Sequence, residues 1–150
     1  KVEYNQILQK NKNTGRSFIL KNDKERINEC KKKFIIKNGE LMNNKNIYFI
    51  DDSLVRGNTL KVIIKMLKYY NPKTINIRIA SPKVINICNY GIDIPSREEL
   101  IMNHYDTNEL YSKEINIDNI KFLEINDMFK ILGHKKLCLN CFEDKNINDW

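Results

Sequence analysis

No apolar run in this chain approaches the roughly 18 residues that a membrane-crossing helix requires. The opening stretch, KVEYNQILQKNKN, has no apolar h-region and so does not read as a signal peptide. No internal repeat or low-complexity linker is visible. Histidine is scarce: His104 and His134 are the only two, and neither stands in a recognisable catalytic triplet, so both read as surface or packing residues. Cysteine is limited to Cys30, Cys88, Cys138 and Cys141, and without a secretory signal a disulfide framework is not expected. The G-x-x-x-x-G-K-[ST] and G-x-G-x-x-G patterns are both missing, which excludes a Walker A loop and a Rossmann fingerprint.

What is present suits one domain, or most of one. The chain has 150 residues, 41% of them hydrophobic and 30% charged, a balance that is neither membrane-like nor disordered. It opens on Lys1 rather than Met, and the strand-like KVEYNQIL at that point leads us to expect a domain incomplete at its N-terminus. The net charge is +7. Lys and Glu/Asp are interspersed rather than blocked, and Lys, Asn and Ile crowd the chain throughout, as in A+T-rich genomes. Nucleic-acid binding is therefore not expected from charge, whereas a small phosphorylated substrate suits it. The cytoplasm is the expected setting, with no membrane association.

The patterning reads as α/β with a mainly parallel sheet flanked by helices. KNKNTGRSF (residues 10–18) is polar, holds Gly15 and reads as a loop. KERINECKKKF reads as a short helix whose lysines form a solvated face, and NGELMNNKN as turns. NIYFID reads as a buried strand. TLKVIIKMLKYY carries apolar residues at 60, 62, 63, 64, 66, 67 and 70, with Lys61, Lys65 and Lys68 on the other side, which predicts an amphipathic helix. Asn71-Pro72 breaks it. KTINIRIAS alternates with period two and reads as the next strand, completing a βαβ unit. SREEL predicts a capped helix start, with Ser96 as cap and Glu99 three residues on, and Arg97, Glu98 and Glu99 as ordinary first-turn residues. IKFLEI predicts a strand and NDMFKILG a short helix stopped by Gly133. Tyr69, Tyr70, Phe122, Phe129 and Phe142 are expected in the core.

The stretch NIYFIDDSLVRGNTL carries the chemistry. An apolar strand runs into two adjacent acids, Asp51 and Asp52, and then into a short polar loop that opens a helix. In α/β sheets, ligands bind beyond the carboxyl ends of strands. Helix N-termini attract anions through unspent N–H groups and the helix dipole. Gly57 lets backbone approach a phosphate closely, and Ser53 and Thr59 add hydroxyls. One end of this loop favours phosphate, and the other offers carboxylates to hydroxyls or a divalent cation. A ribose phosphate with Mg²⁺ meets both demands.

IDDSLVRGNT resembles the phosphoribosyl pyrophosphate (PRPP) signature of type I phosphoribosyltransferases. With NTGRSFI, RIASP, CNYGIDIPSREELI and CLNCF in this order, nearly the whole chain resembles the C-terminal phosphoribosyltransferase region of the glutamine amidophosphoribosyltransferases, enzymes of purine synthesis. The resemblance implies formation of 5-phosphoribosylamine from PRPP and glutamine-derived ammonia. It implies that Asp51 and Asp52 contact the ribose hydroxyls and hold Mg²⁺. It implies that the loop Ser53, Leu54, Val55, Arg56, Gly57, Asn58 and Thr59 binds the 5-phosphate, largely through backbone N–H groups, with Arg56 equally able to face solvent. A mobile flap over PRPP corresponds to residues 10–19. There Lys10 and Arg16 are candidate pyrophosphate contacts, while Lys12 and Asn13 stand where the family usually has Arg and an aromatic residue. The glutaminase domain, which supplies the ammonia, and an upstream pyrophosphate loop have no counterpart in this chain, so the fragment alone is not expected to be active. The full-length protein is expected to be a homo-oligomer.

The pair CLNC has C-x-x-C spacing, which suits a metal, a cluster or a redox pair. Some members of the family carry a [4Fe–4S] cluster. Cys88, Cys138 and Cys141 match three of its ligand positions, the fourth lying outside this chain. An iron–sulfur cluster, zinc or no bound metal all remain open on the residues alone. Cys30 matches no ligand position and reads as a semi-buried thiol. Other readings are a base-salvage phosphoribosyltransferase, a non-catalytic PRPP-responsive regulator, or an inactive remnant.

Overall fold

The computed structural model of the chain describes residues 3–11, 33–88, 90–92 and 96–143. Arg16, Cys30, most of the 10–19 segment and most of KERINECKKKF lie outside them. The elements run β1 (Leu8–Lys10), β2 (Phe34–Ile36), β3 (Asn46–Asp51), α1 (Asn58–Lys68), β4 (Thr74–Ile79), α2 (Asn108–Glu114), β5 (Asn119–Phe122) and α3 (Ile125–Leu132), with short 3₁₀ turns at Gly39–Met42, Arg97–Glu99 and Ile101–His104. The chain divides into two compact units, Lys1–Ile47 with Gly57–Thr74, and Tyr48–Arg56 with Ile75–Trp150. Among the described residues no helix is long and apolar enough to cross a membrane.

The first unit holds a small antiparallel ribbon, β1 on β2, with Leu8 opposite Ile36 and Lys10 opposite Phe34. The strand expected over residues 1–8 begins only at Leu8, because Tyr4, Asn5 and Gln6 are exposed and pair with no strand among the described residues. The helix α1 follows the predicted periodicity. Leu60, Val62, Ile63, Ile64 and Leu67 are buried, as is Met42 in the same unit. Asn71, at φ 48°, turns the chain after the helix, and its carbonyl accepts from the N–H of Asn44 at 3.0 Å. Gly39 lies flat against the Tyr70 ring, where a Cβ would overlap the ring atoms.

The second unit contains most of a three-stranded sheet in the order β3-β4-β5. β4 and β5 are parallel, Ile77 opposite Ile120. The N–H groups of Lys73 and Ala80, which flank β4, donate to the carbonyls of Lys45 and Asp51 at the two ends of β3, so β3 and β4 also run the same way. The sheet is therefore parallel, as the pattern predicts. β4 buries Ile75, Ile77 and Ile79 on one face, the period-two signature of a strand with one core side. α2 packs against β5 and is capped by Thr107, whose hydroxyl accepts from the Leu110 N–H at 3.2 Å. α3 ends at Gly133, whose φ of 72° is the left-handed conformation common after a helix.

Three further expectations fail. NIYFID forms a strand but is not buried: Tyr48 is 55% exposed and Ile50 69%, because among the described residues nothing covers that face of β3 except the Arg78 guanidinium, 5.3 Å from the centroid of the Tyr48 ring. The expected aromatic core is also misplaced. Tyr69 is 80% exposed at the end of α1, and Tyr70, Phe122, Phe129 and Phe142 are only half-buried. The fully buried aromatic residue is Tyr111, stacked at 5.0 Å on Tyr105. Burial holds its hydroxyl well above the ordinary tyrosine range. Finally, SREEL opens no α-helix, since Ser96 makes no cap bond to the backbone and Arg97–Glu99 is a single 3₁₀ turn.

The contrast between strand positions gives a measurable consequence. Ile77→Ala removes a side chain with 0% exposure and should lower unfolding free energy by about 2–5 kcal/mol. Ile50→Ala should change it by under about 0.5 kcal/mol. Urea denaturation of the two variants of this chain checks the difference, and equal losses would contradict the exposure of the Ile50 face of β3.

Candidate functional site

β3 carries its acids to the carboxyl end of the sheet. The backbone there is pinned, because the Asp51 carbonyl accepts the Ala80 N–H at 2.9 Å. The Asp51 side chain is half-buried and accepts the N–H of Asp52 at 3.1 Å. Asp52 and Ser53 are exposed, and the Ser53 hydroxyl donates to Asp52 Oδ1 at 3.2 Å. Two neighbouring carboxylates, one steadied and one open, suit a diol or the water shell of a cation. Mg²⁺ is commonly held by one or two carboxylates with water and substrate phosphate completing its octahedron. The pair fits that role better than it fits a closed metal site, for no group of three or more His, Cys, Asp or Glu able to hold a metal occurs among the described residues.

The stretch Ser53–Arg56 follows directly. Leu54 is buried, and Val55 packs against the pair Val84 and Leu100. The Val55 carbonyl accepts the Ile101 N–H at 2.8 Å. Arg56 is not turned to solvent: its side chain is 15% exposed, and Nε donates to Glu99 Oε2 in an ion pair. Among the described residues, nothing accepts from the backbone N–H groups of Ser53, Leu54, Val55 or Arg56. The loop is thus held by a carbonyl and side chains while its amide donors stay unspent, as an anion cradle requires.

Gly57 takes φ 76°, a conformation in which a Cβ is strained, and its carbonyl starts α1 by accepting the Lys61 N–H at 2.9 Å. The first turn of α1, which includes Asn58 and Thr59, has no acidic residue and no side-chain cap from Gly57, while Lys65 and Lys68 stand in the last turn. With no acid of its own in the first turn, the positive end of the helix dipole favours a negative group. Lys10 is exposed at the end of β1.

Two of the three candidate thiols adjoin. Cys88 Sγ accepts the Tyr90 N–H at 3.4 Å, and Cys88 and Cys141 both pack against Val84 and Leu100. The Cys141 carbonyl accepts from Ile85 at 2.8 Å and Asn86 at 3.2 Å, while the Asn86 side chain donates to the Glu143 carbonyl at 2.9 Å. The backbone N–H groups of Ile92 and Tyr90, helped by Cys141, hold the Cys88 thiol below the usual cysteine range. Burial, and then the neighbouring Cys88, push Cys141 above it. Cys138 is exposed, and no three-thiol group is assembled among the described residues, so the donor set for a cluster is only partly formed here. His104 and His134 are both exposed, as expected.

Glu99 and Asn103 were not foreseen as contributors to this region. Asn103 donates to the carbonyls of Ile85 and Arg97 at 3.0 and 3.1 Å, tying the thiol segment to the turn that holds Arg56. No local pattern signals a partner for Glu99 that is 43 positions away.

No protein-family model matches the chain. Curated proteins do. An amidophosphoribosyltransferase of Methanocaldococcus jannaschii is 36% identical over 145 residues, 96% of this chain and 30% of that protein. One from Pyrococcus horikoshii is 36% identical over 99% of this chain and 32% of its own length, and one from Rattus norvegicus is 46% identical over 68% and 20%. Among solved structures, the glutamine PRPP amidotransferase from B. subtilis, complexed with ADP and GMP, superposes with a TM-score of 0.75 at 31% identity over 96% of this chain and 32% of its own. A structure described as the allosteric regulatory enzyme of purine biosynthesis gives 0.77 at 30% identity, covering 97% and 32%. The chain thus spans a third or less of the relatives it matches.

The thiol environments set an order of reactivity. A lowered pKa means that the thiolate forms at lower pH, and the thiolate is the nucleophile. In the metal-free chain, iodoacetamide labelling followed by mass spectrometry should show Cys88 reaching its plateau rate at a lower pH than Cys141. The reverse order would contradict the described hydrogen bonds to Cys88.

Proposed function

The chain belongs to the amidophosphoribosyltransferase family, of whose members it spans a third or less, and from that premise we propose that it is the PRPP-binding, C-terminal part of an enzyme that makes 5-phosphoribosylamine in purine biosynthesis. The observation that carries this reading is the paired acid at the end of β3 followed by a loop whose Ser53–Arg56 amides are unspent among the described residues.

In this reading Asp51 and Asp52 grip the ribose diol and the metal. Ser53, Leu54, Val55, Arg56, Gly57, Asn58 and Thr59 receive the 5-phosphate, chiefly by backbone N–H. Arg56 acts there as an anchor rather than as a phosphate ligand, because its Nε is already engaged by Glu99. Ammonia attacks C1 of the ribose as the bond to pyrophosphate breaks. Positive charge grows on the sugar, where the carboxylates stabilise it. Mg²⁺, when bound, spreads the charge on the departing pyrophosphate. Lys10 and Arg16 are proposed to meet that leaving group, with residues 10–19 closing over PRPP to exclude water, which competes with ammonia.

A glutaminase domain in the parent protein, or a partner chain, supplies the ammonia. The parent is proposed to be a cytoplasmic homo-oligomer, where reducing conditions keep the thiols available. Cys88, Cys138 and Cys141 are proposed as three donors of a [4Fe–4S] site completed outside this chain, with no part in the reaction steps.

The test is PRPP-dependent pyrophosphate release by the parent protein with ammonia as nucleophile. Asp51→Asn and Asp52→Asn should each weaken PRPP use (kcat/KM) by roughly ten- to hundredfold. Use of a purine or pyrimidine base in place of ammonia, or undiminished activity in both variants, would overturn the reading.

A further inference from the structure

Resting on that reading of the site, we propose that Glu99 is a positioning residue: it fixes Arg56 and thereby holds the phosphate loop with its amides ready to bind. Three independent ties join the loop to the turn at residues 97–101. Glu99 accepts from Arg56 Nε. The Ile101 N–H donates to the Val55 carbonyl at 2.8 Å. Val55 packs against the fully buried Leu100. All three use side chains or a carbonyl of the loop and none uses a loop amide.

Anchoring of this kind lowers the cost of phosphate binding. A loop ordered before the ligand arrives loses less entropy on binding, and amides already aligned need no reorganisation. The ion pair is the specific member of the three ties. Its side chains are 15% and 34% exposed, so the charges are partly withdrawn from water and removing one leaves the other uncompensated. Without Glu99, the Arg56 guanidinium must find another acceptor, and the Val55–Arg56 backbone loses its lateral restraint.

The turn is itself braced. The Asn103 side chain holds the Arg97 carbonyl on one side and the Ile85 carbonyl on the other. Glu99 therefore acts from a fixed platform.

The prediction concerns one end of the substrate. In the parent protein, Glu99→Gln should raise the KM for PRPP roughly tenfold with little change in kcat, because contacts to the 5-phosphate are made equally in ground and transition states. Ribose 5-phosphate should weaken as a competitive inhibitor by a similar factor, while pyrophosphate should not. Glu99→Gln combined with Arg56→Ala should be no worse than Arg56→Ala alone. Equal weakening of both inhibitors, an unchanged KM, or additive losses would overturn the assignment.

Hydrogen exchange separates this inference from the function it rests on. In Glu99→Gln the Ile101 amide, which is spent on the Val55 carbonyl, should exchange faster while those of β4 stay unchanged, with or without ligand. If the wild-type protein fails to bind PRPP, the reading of the site falls, and unchanged exchange at Ile101 would overturn the role of Glu99.

Discussion

The loop after β3 is restrained through its carbonyl and side chains, and among the described residues nothing accepts from its amides. A backbone N–H that finds no partner on folding is costly unless water or a ligand satisfies it. Ser53, Leu54, Val55 and Arg56 present such groups in succession, on a segment clamped by the Arg56–Glu99 pair and the Val55–Ile101 hydrogen bond. Paired with the acids of β3, this is the stretch of chain proposed to receive a phosphate at one end and a diol or cation at the other. Everything proposed for the chain follows from that division of labour within a few residues.

The same turn that clamps the loop also serves the thiols. Leu100 packs with Val84 at the centre of a small cluster, with Val55, Cys88, Cys141 and Phe142 around it. The segment around Ile85 is stitched to Cys141 by two backbone hydrogen bonds. The specific string YGIDIPSREELI therefore does more than mark a family. Its SREEL portion supplies the acid that meets Arg56 and the leucine at the centre of that cluster.

β3, α1, β4, β5 and α3 were legible in the sequence because their signals are local. The spacing of Leu60, Ile63, Ile64 and Leu67 is a helix period, and the alternation of Ile75, Ile77 and Ile79 is a strand period. Asp51 and Asp52 were legible because they interrupt an apolar strand at its carboxyl end. Other features depend on tertiary neighbours and left no local trace. Tyr48 and Ile50 look like core residues, yet among the described residues nothing but the Arg78 guanidinium covers their face of the strand. Tyr69 was expected in the core but sits at the C-cap of α1, past the helix end, and is exposed. Ser96 and Glu99 spell a capping box, but Glu99 is taken by Arg56 and the turn closes as 3₁₀. The short β1–β2 ribbon carries too few residues for a periodic signal.

The most direct measurement is a crystal structure of the parent protein with Mg²⁺ and a non-reactive PRPP analogue. The account predicts the 5-phosphate oxygens within hydrogen-bonding distance of backbone N–H groups between Ser53 and Thr59, with the ribose hydroxyls on Asp51 and Asp52. Phosphate bound elsewhere, with these amides facing solvent and both aspartates away from the sugar, would contradict it.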